Sequence, residues 1–333
     1  MITRWNGLQR QFQQRIDRHM MIWTPSALLV GIIFTKGIAP LQSAVPYLFA
    51  IVTFVMGLGC SFIQLKEAAK EWRRCLYILL TVHGALPLLA WLIGTISFGS
   101  DSPITVGLIM FTAIPIGVAT MIWVGVAGGN VSFAMSLVTV DTLLSPLTVP
   151  AILFLFSGET VHFSIWELLW DLLSIVVLPT LCGMLLSHYV RSPWLQLAKP
   201  TLSSVSKLSF LFVLIINAAV IAPLARLIGD QWISIVASAV VLISLGYVIG
   251  WVIERLSPNK GALWETMYGC GLRNISLGLV IAAGHFTPLA SAPIIMSVML
   301  QQPIAAVTYR LFGKSGKSGK SGKSGKLNNT AAH

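Results

Sequence analysis

Apolar residues fill positions 20–312 so densely that the scarce polar residues carry the pattern. Charge clusters, prolines and glycines cut this stretch into about ten segments, near 20–37, 44–65, 75–98, 103–127, 131–157, 166–189, 201–227, 231–254, 263–286 and 291–312. A helix needs about 20 apolar residues to cross the hydrocarbon of a bilayer, so each segment predicts one transmembrane helix. Two are interrupted. Thr112–Gly125 (TAIPIGVATMIWVG) and Tyr268–Val280 (YGCGLRNISLGLV) hold Pro or Gly where a straight helix wants neither. They occupy corresponding positions in the two halves of the chain. Such a pair points to a transporter's solute site, because unwound backbone is tolerated at membrane depth only inside protein or beside a water-filled cavity.

Composition supports an all-α membrane protein. Of the 333 residues, 56% are hydrophobic and 10% charged, against roughly 25% charged in soluble domains. The net charge of +11 is spread over alternate loops. Arg4, Arg10, Arg15 and Arg18 precede the first segment, Lys66, Lys70, Arg73 and Arg74 follow the second, and Arg191 with Lys199 and Arg255 with Lys260 come later. The opposite loops hold little beyond Lys36 and Arg226. The positive-inside rule then predicts a multi-pass protein of the cell membrane with both termini cytoplasmic. A basic excess dispersed along one membrane face is not a nucleic-acid footprint. Residues 1–19 place Trp5, Leu8, Phe12 and Ile16 at helical spacing among arginines, which predicts a helix lying on inner-leaflet lipid. Residues 313–333, with their Gly-Lys-Ser repeats, read as a flexible basic tail, either native and lipid-touching or an appended linker.

The chemistry is confined to the bilayer. There is no HExxH, GxSxG or Walker loop, and Cys60, Cys75, Cys182 and Cys270 lack the spacing of a metal site or disulfide framework. The reading is therefore not an enzyme, with no metal and no cofactor. What stands out is Arg273, a cation in mid-segment that costs about 3 kcal/mol at bilayer depth and marks a protein interior or a solute path. Asp141, in VTVDTLLSP, is the buried acid. Paired with Arg273 it would either tie helices together or open to admit a carboxylate or exchange a proton. His83 reads as a hydrogen-bonded core histidine or a proton relay, and His285 as interfacial. Gln301 and Gln302 are interhelical glue or cavity lining. Thr120 and Asn274, at the interruptions, are expected to line a cavity, and Asn130 to serve a tight turn.

FVMGLGCSFIQLKEAAKEW (Phe54–Trp72), PIGVAT (Pro115–Thr120), GNV (Gly129–Val131), TVDTLLSPLTVP (Thr139–Pro150) and GLRN (Gly271–Asn274) resemble, in order and spacing, motifs of the bile acid:sodium symporter family. The resemblance covers nearly all of residues 20–312. It implies ten transmembrane helices arranged as two inverted five-helix repeats, 20–157 and 158–312. Spans 1, 2, 6 and 7 would form a panel domain, and the rest a core domain in which broken spans 4 and 9 cross near the midplane.

The same resemblance marks where family sodium ligands would fall, and oxygens are mostly missing there. The Glu and Gln of the EVGxQN-type motif fall on Gly269 and Arg273. The fourth-span Ser-Asn pair falls on Thr120 and Met121, the fifth-span ligands on Ala134 and Val138 or, shifted by one residue, Thr139, and the third-span Gln on Val82 beside His83. A guanidinium about 4 Å from a sodium ion repels it by roughly 4 kcal/mol at an effective dielectric near 20. The expectation is a secondary transporter of a small organic anion, a carboxylate of the bile acid, pantothenate-like or keto-acid class, working by alternating access without the usual sodium coupling. Arg273, Asn274, Thr120 and Gln301 would bind substrate, while Asp141, Arg273 and His83 would form the coupling or charge-pair set. The alternatives are a conventional sodium-coupled symporter and, from another class, an intramembrane enzyme or channel. No particular oligomer is implied.

Overall fold

A computed structural model describes residues 23, 25–60, 69–157, 164–190, 193–224, 228–258 and 260–317. The amphipathic segment 1–19 lies outside the described residues, as does the tail beyond Lys317. Helix α1 covers 25–33 and is followed by short turns of helix to Ala44. Then come α2 (Val45–Gly59), α3 (Trp72–Phe98), α4 (Pro103–Ala113), α5 (Ala119–Val126), α6 (Val131–Ser157) and α7 (Ile165–Tyr189). The remainder is α8 (Pro193–Ile221), α9 (Trp232–Leu256), α10 (Leu263–Gly271), α11 (Ile275–His285) and α12 (Ala292–Lys317). Helix α8 begins before residue 201, so Lys199 sits within a helix, and α12 runs five residues past Phe312 into the segment expected to be tail.

Seven helical stretches among the described residues are long and apolar enough to cross a membrane, and α4 and α11 are shorter apolar helices. The protein is a multi-pass, all-helical membrane protein. The sequence predicts ten crossings; the difference lies in two segments that are broken, α4–α5 and α10–α11, and a first helix that is only partly described.

Prolines shape the long helices without stopping them. Pro87 has no N–H for the carbonyl of His83, and Pro179 none for that of Ile175. In each case the chain widens into a π turn just before the proline, Thr81–Ala85 in α3 and Leu173–Val177 in α7. The Ile175 carbonyl freed in this way accepts the Thr53 hydroxyl of α2 at 2.9 Å. Helix α2 then lies almost backbone to backbone on α7. A Cβ on Gly57 would stand 2.2 Å from the Thr180 carbonyl oxygen, and one on Gly183 2.3 Å from that of Phe54. Small residues permit this approach where lipid gives no hydrophobic drive between helices. Helices α1, α2, α7 and α8 pack together in this way, while α9 lies on α10 and α12, and α4 on α3, α6 and α12. Large apolar side chains such as Ile96 and Leu155 point outward and stay exposed, as lipid-facing positions require.

Candidate site at the crossing of the broken helices

Helix α4 stops because Ile114 precedes Pro115, which disfavours helical backbone at that residue; Ile114 is extended, with ψ 149°. Helix α10 stops after Gly271, and Leu272 is likewise extended. The two unwound stretches run antiparallel, with Ile116 facing Arg273. Gly117 N–H donates to the Leu272 carbonyl at 3.1 Å, and Asn274 N–H to the Pro115 carbonyl at 2.8 Å. Each break thus satisfies the other, as buried backbone must. Gly117 is required for the contact, since a Cβ there would lie 2.5 Å from the Arg273 carbonyl oxygen.

In this pairing Ile116 and Arg273 form the pair that does not bond to each other, so their own amides point to the outer edges. Helices α6 and α12 supply the partners. On one edge Ile116 N–H donates to Asp141 Oδ2 at 2.6 Å. On the other, Arg273 N–H donates to Gln301 Oε1 at 3.0 Å, and Gln301 Nε2 returns a bond to the Arg273 carbonyl at 3.2 Å. Asp141 is fully buried, and Gln301 nearly so. Gln301 thereby ties α12 to the unwound stretch between α10 and α11.

The Arg273 guanidinium turns back onto the end of α10. It donates to the carbonyls of Cys270 at 3.1 Å, Gly269 at 3.3 Å and Leu272 at 3.4 Å, with the residue only 3% exposed. These carbonyls are the negative end of a half-helix dipole, where a cation is stabilised. The expected Asp141–Arg273 ion pair is corrected here: the described contacts of the two side chains lie elsewhere, although each remains in the other's field. Asp141 is instead taken by His83, whose Nε2 lies 2.5 Å from Oδ1. His83 sits in the π turn of α3.

Thr120 and Asn274 meet the same crossing from the starts of α5 and α11. The Thr120 hydroxyl is buried and donates to the Tyr268 carbonyl at 3.3 Å, so it binds protein rather than an open cavity. Asn274 caps α11 through Leu277 N–H at 3.4 Å and is partly exposed. Asn130 caps α6 at Phe133 N–H and donates its own N–H to the buried Glu265 carboxylate. Trp123 bonds Gln302 at 2.8 Å and stacks on Tyr268, which stacks on Trp264. Nothing in the sequence singled out this aromatic column. Ala134 and Val138 are buried apolar residues, and Thr139 spends its hydroxyl on the Met135 carbonyl and Cys60 Sγ.

Besides apolar packing, side-chain hydrogen bonds among the described residues join the α1–α2–α7–α8 group to the helices that carry the crossing. His285 Nε2 lies 2.9 Å from Asp171 Oδ2 of α7, so this histidine is a partnered group and not simply an interfacial one. Gln42 Nε2 donates to the Ala283 carbonyl at 3.1 Å, and Cys60 meets Thr139 at 3.1 Å.

The chain is 30% identical over 289 residues to the uncharacterized protein YbaS of Bacillus subtilis (strain 168), covering 86% of this chain and 94% of that one. It is 24% identical over 278 residues to the uncharacterized sodium-dependent transporter YocS of the same organism, covering 82% and 84%. The probable sodium/metabolite cotransporter BASS2, chloroplastic, of Oryza sativa subsp. japonica is 24% identical over 257 residues, covering 74% and 60%. The model of the sodium bile acid symporter family matches residues 45–225. With more than half of the chain matched by that model, the protein belongs to the sodium bile acid symporter family.

Proposed function

We propose that this transporter carries a small organic anion, a carboxylate, by alternating access, with Arg273 as a built-in cation in place of a bound sodium ion. The observation that carries this reading is the guanidinium on the C-terminal carbonyls of α10. Carbonyls at half-helix C-termini are where transporters of this general kind hold alkali cations, while half-helix N-termini face anionic substrate groups. Here α5 and α11 begin at the crossing, and the positive ends of their dipoles favour an anion there. Arg273 contributes its field. Its donors are engaged with backbone, so the bidentate fork expected of it from sequence is not offered to substrate.

On this reading the two halves are inverted five-helix repeats. Asp141 of α6 and Gln301 of α12, which close the two edges of the crossing, are equivalent residues of the two repeats. Helices α1, α2, α7 and α8 form the panel, and the contacts His285–Asp171, Gln42–Ala283 and Cys60–Thr139 are those that must break as the core moves. Saturable uptake of labelled carboxylates into proteoliposomes, accelerated by unlabelled acid inside, is the expected behaviour of a carrier. Uptake without that counterflow would indicate a channel, and a chemically altered product an enzyme.

The proposed location is the cell membrane with both termini cytoplasmic. A single cysteine replacing Lys70 or Lys260 should then be shielded from an impermeant maleimide in intact cells, and one replacing Ser100 should react. External labelling at position 260 contradicts this orientation.

A further inference from the structure

We propose that His83 and Asp141 form a proton-binding site, and that one proton taken up at His83 Nδ1 accompanies each carboxylate carried. The inference rests on the carrier reading above, with the proton as a second ligand at a separate place. Asp141 is buried, and both of its oxygens are committed. Oδ2 must accept from Ile116 N–H, and Oδ1 lies 2.5 Å from His83 Nε2. An ionised carboxylate only accepts, so the proton in that contact belongs to Nε2. The lone pair of the neutral imidazole is then on Nδ1, which is buried and has no hydrogen-bond partner. A buried acceptor left unpaired is costly, and a proton is the smallest ligand that satisfies it.

Charge arithmetic ties this proton to an anion. Arg273 and Asp141 sum to zero across the crossing. A proton on Nδ1 leaves the imidazolium and guanidinium facing one carboxylate, a net charge of plus one in the buried centre. One substrate carboxylate at the adjoining starts of α5 and α11 restores neutrality, so each ligand favours the other and the cycle carries no net charge. The other buried acids are held elsewhere, Glu254 of α9 by the N–H groups of Gly261 and Ala262 and Glu265 of α10 by Asn130 N–H. Arg273 acts on Asp141 across the crossing, with Cys270 of α10 and Tyr247 of α9 beside it. Cys60, just past the end of α2, contacts Thr139 of α6. Helix α3 holds Arg73, Arg74, Cys75 and Tyr77 nearer its start, α4 and α5 carry no ionisable side chain, and α7 contributes Glu167 with Asp171, the latter taken by His285.

The test has two arms. Protein labelled with 15N-histidine in nanodiscs is titrated between about pH 5 and pH 8, the His83 signal being identified by its loss in His83→Gln. The expected result is that the Nδ1 signal changes from a bare to a protonated nitrogen as the pH falls. A His83 that stays neutral or stays charged throughout overturns the site. In the second arm, proteoliposomes take up labelled pyruvate or pantothenate with and without an inward proton gradient. Severalfold faster uptake under the gradient is expected in wild type, with no response in Asp141→Asn. Uptake indifferent to the gradient overturns the proton site and leaves the carrier reading standing. If neither acid enters under any gradient, that result counts against the carrier reading, and the histidine titration alone decides the proton site.

Discussion

Arg273→Ala should be poorly folded, losing about 3–5 kcal/mol, the usual cost of breaking a buried charge arrangement from one side. Removing the guanidinium leaves the carbonyls of Gly269, Cys270 and Leu272 without their donor and the buried Asp141 without its counter-charge. Arg273→Lys should recover part of the loss, because a compact ammonium keeps the charge but cannot span several carbonyls at once. Arg273→Gln combined with Asp141→Asn should fold better than either Arg273→Ala or Arg273→Gln alone, since both charges leave together and an amide oxygen still accepts from Ile116 N–H. Thermal midpoints in detergent, read by loss of the monodisperse peak, measure the series. Equal midpoints for Arg273→Ala and wild type would show that the guanidinium holds nothing in place.

Gly117→Val tests the crossing itself. The added side chain would start 2.5 Å from the Arg273 carbonyl oxygen and 2.8 Å from its carbon. That contact is with backbone, which has no rotamer to yield, so the strands must part. Two hydrogen bonds then fail, Gly117 N–H to Leu272 and Asn274 N–H to Pro115. Each buried group left unpaired costs about 1–3 kcal/mol. The expected outcome is a protein that either fails to accumulate or accumulates without transport. Gly128→Val is the control, because a Cβ there meets nothing within 4 Å, although its φ of +76° adds strain of its own. Wild-type stability and uptake in Gly117→Val would mean that the two breaks do not touch.

The breaks were legible because Pro115, Gly269 and Gly271 announce themselves in otherwise uninterrupted apolar sequence. Arg273, Asp141, His83 and Gln301 were legible as polar residues in the wrong medium, and the structure gathers all four around one bridge. Their pairing was not legible. Charge complementarity suggested Asp141 with Arg273, but the decisive partners are a backbone N–H and the carbonyls at a helix end, and backbone groups leave no mark in a sequence. The π turn before Pro87 also re-aims His83, and a regular 3.6-residue period does not anticipate it. Residues such as Thr120 looked like cavity lining for the same reason: a hydroxyl at a break says that something must be satisfied, without saying whether solute or protein does so.

The central claim is that a tethered guanidinium does the work of a bound alkali ion. It is tested most directly by initial uptake of labelled carboxylates into proteoliposomes in sodium, potassium or choline at constant ionic strength and pH. The account predicts the same rate in all three, because Arg273 already occupies the α10 carbonyls and Ala134 and Val138 offer no oxygen side chain. A drop of about tenfold on removing sodium, worth roughly 1.4 kcal/mol of coupling, would contradict it and return the protein to sodium symport.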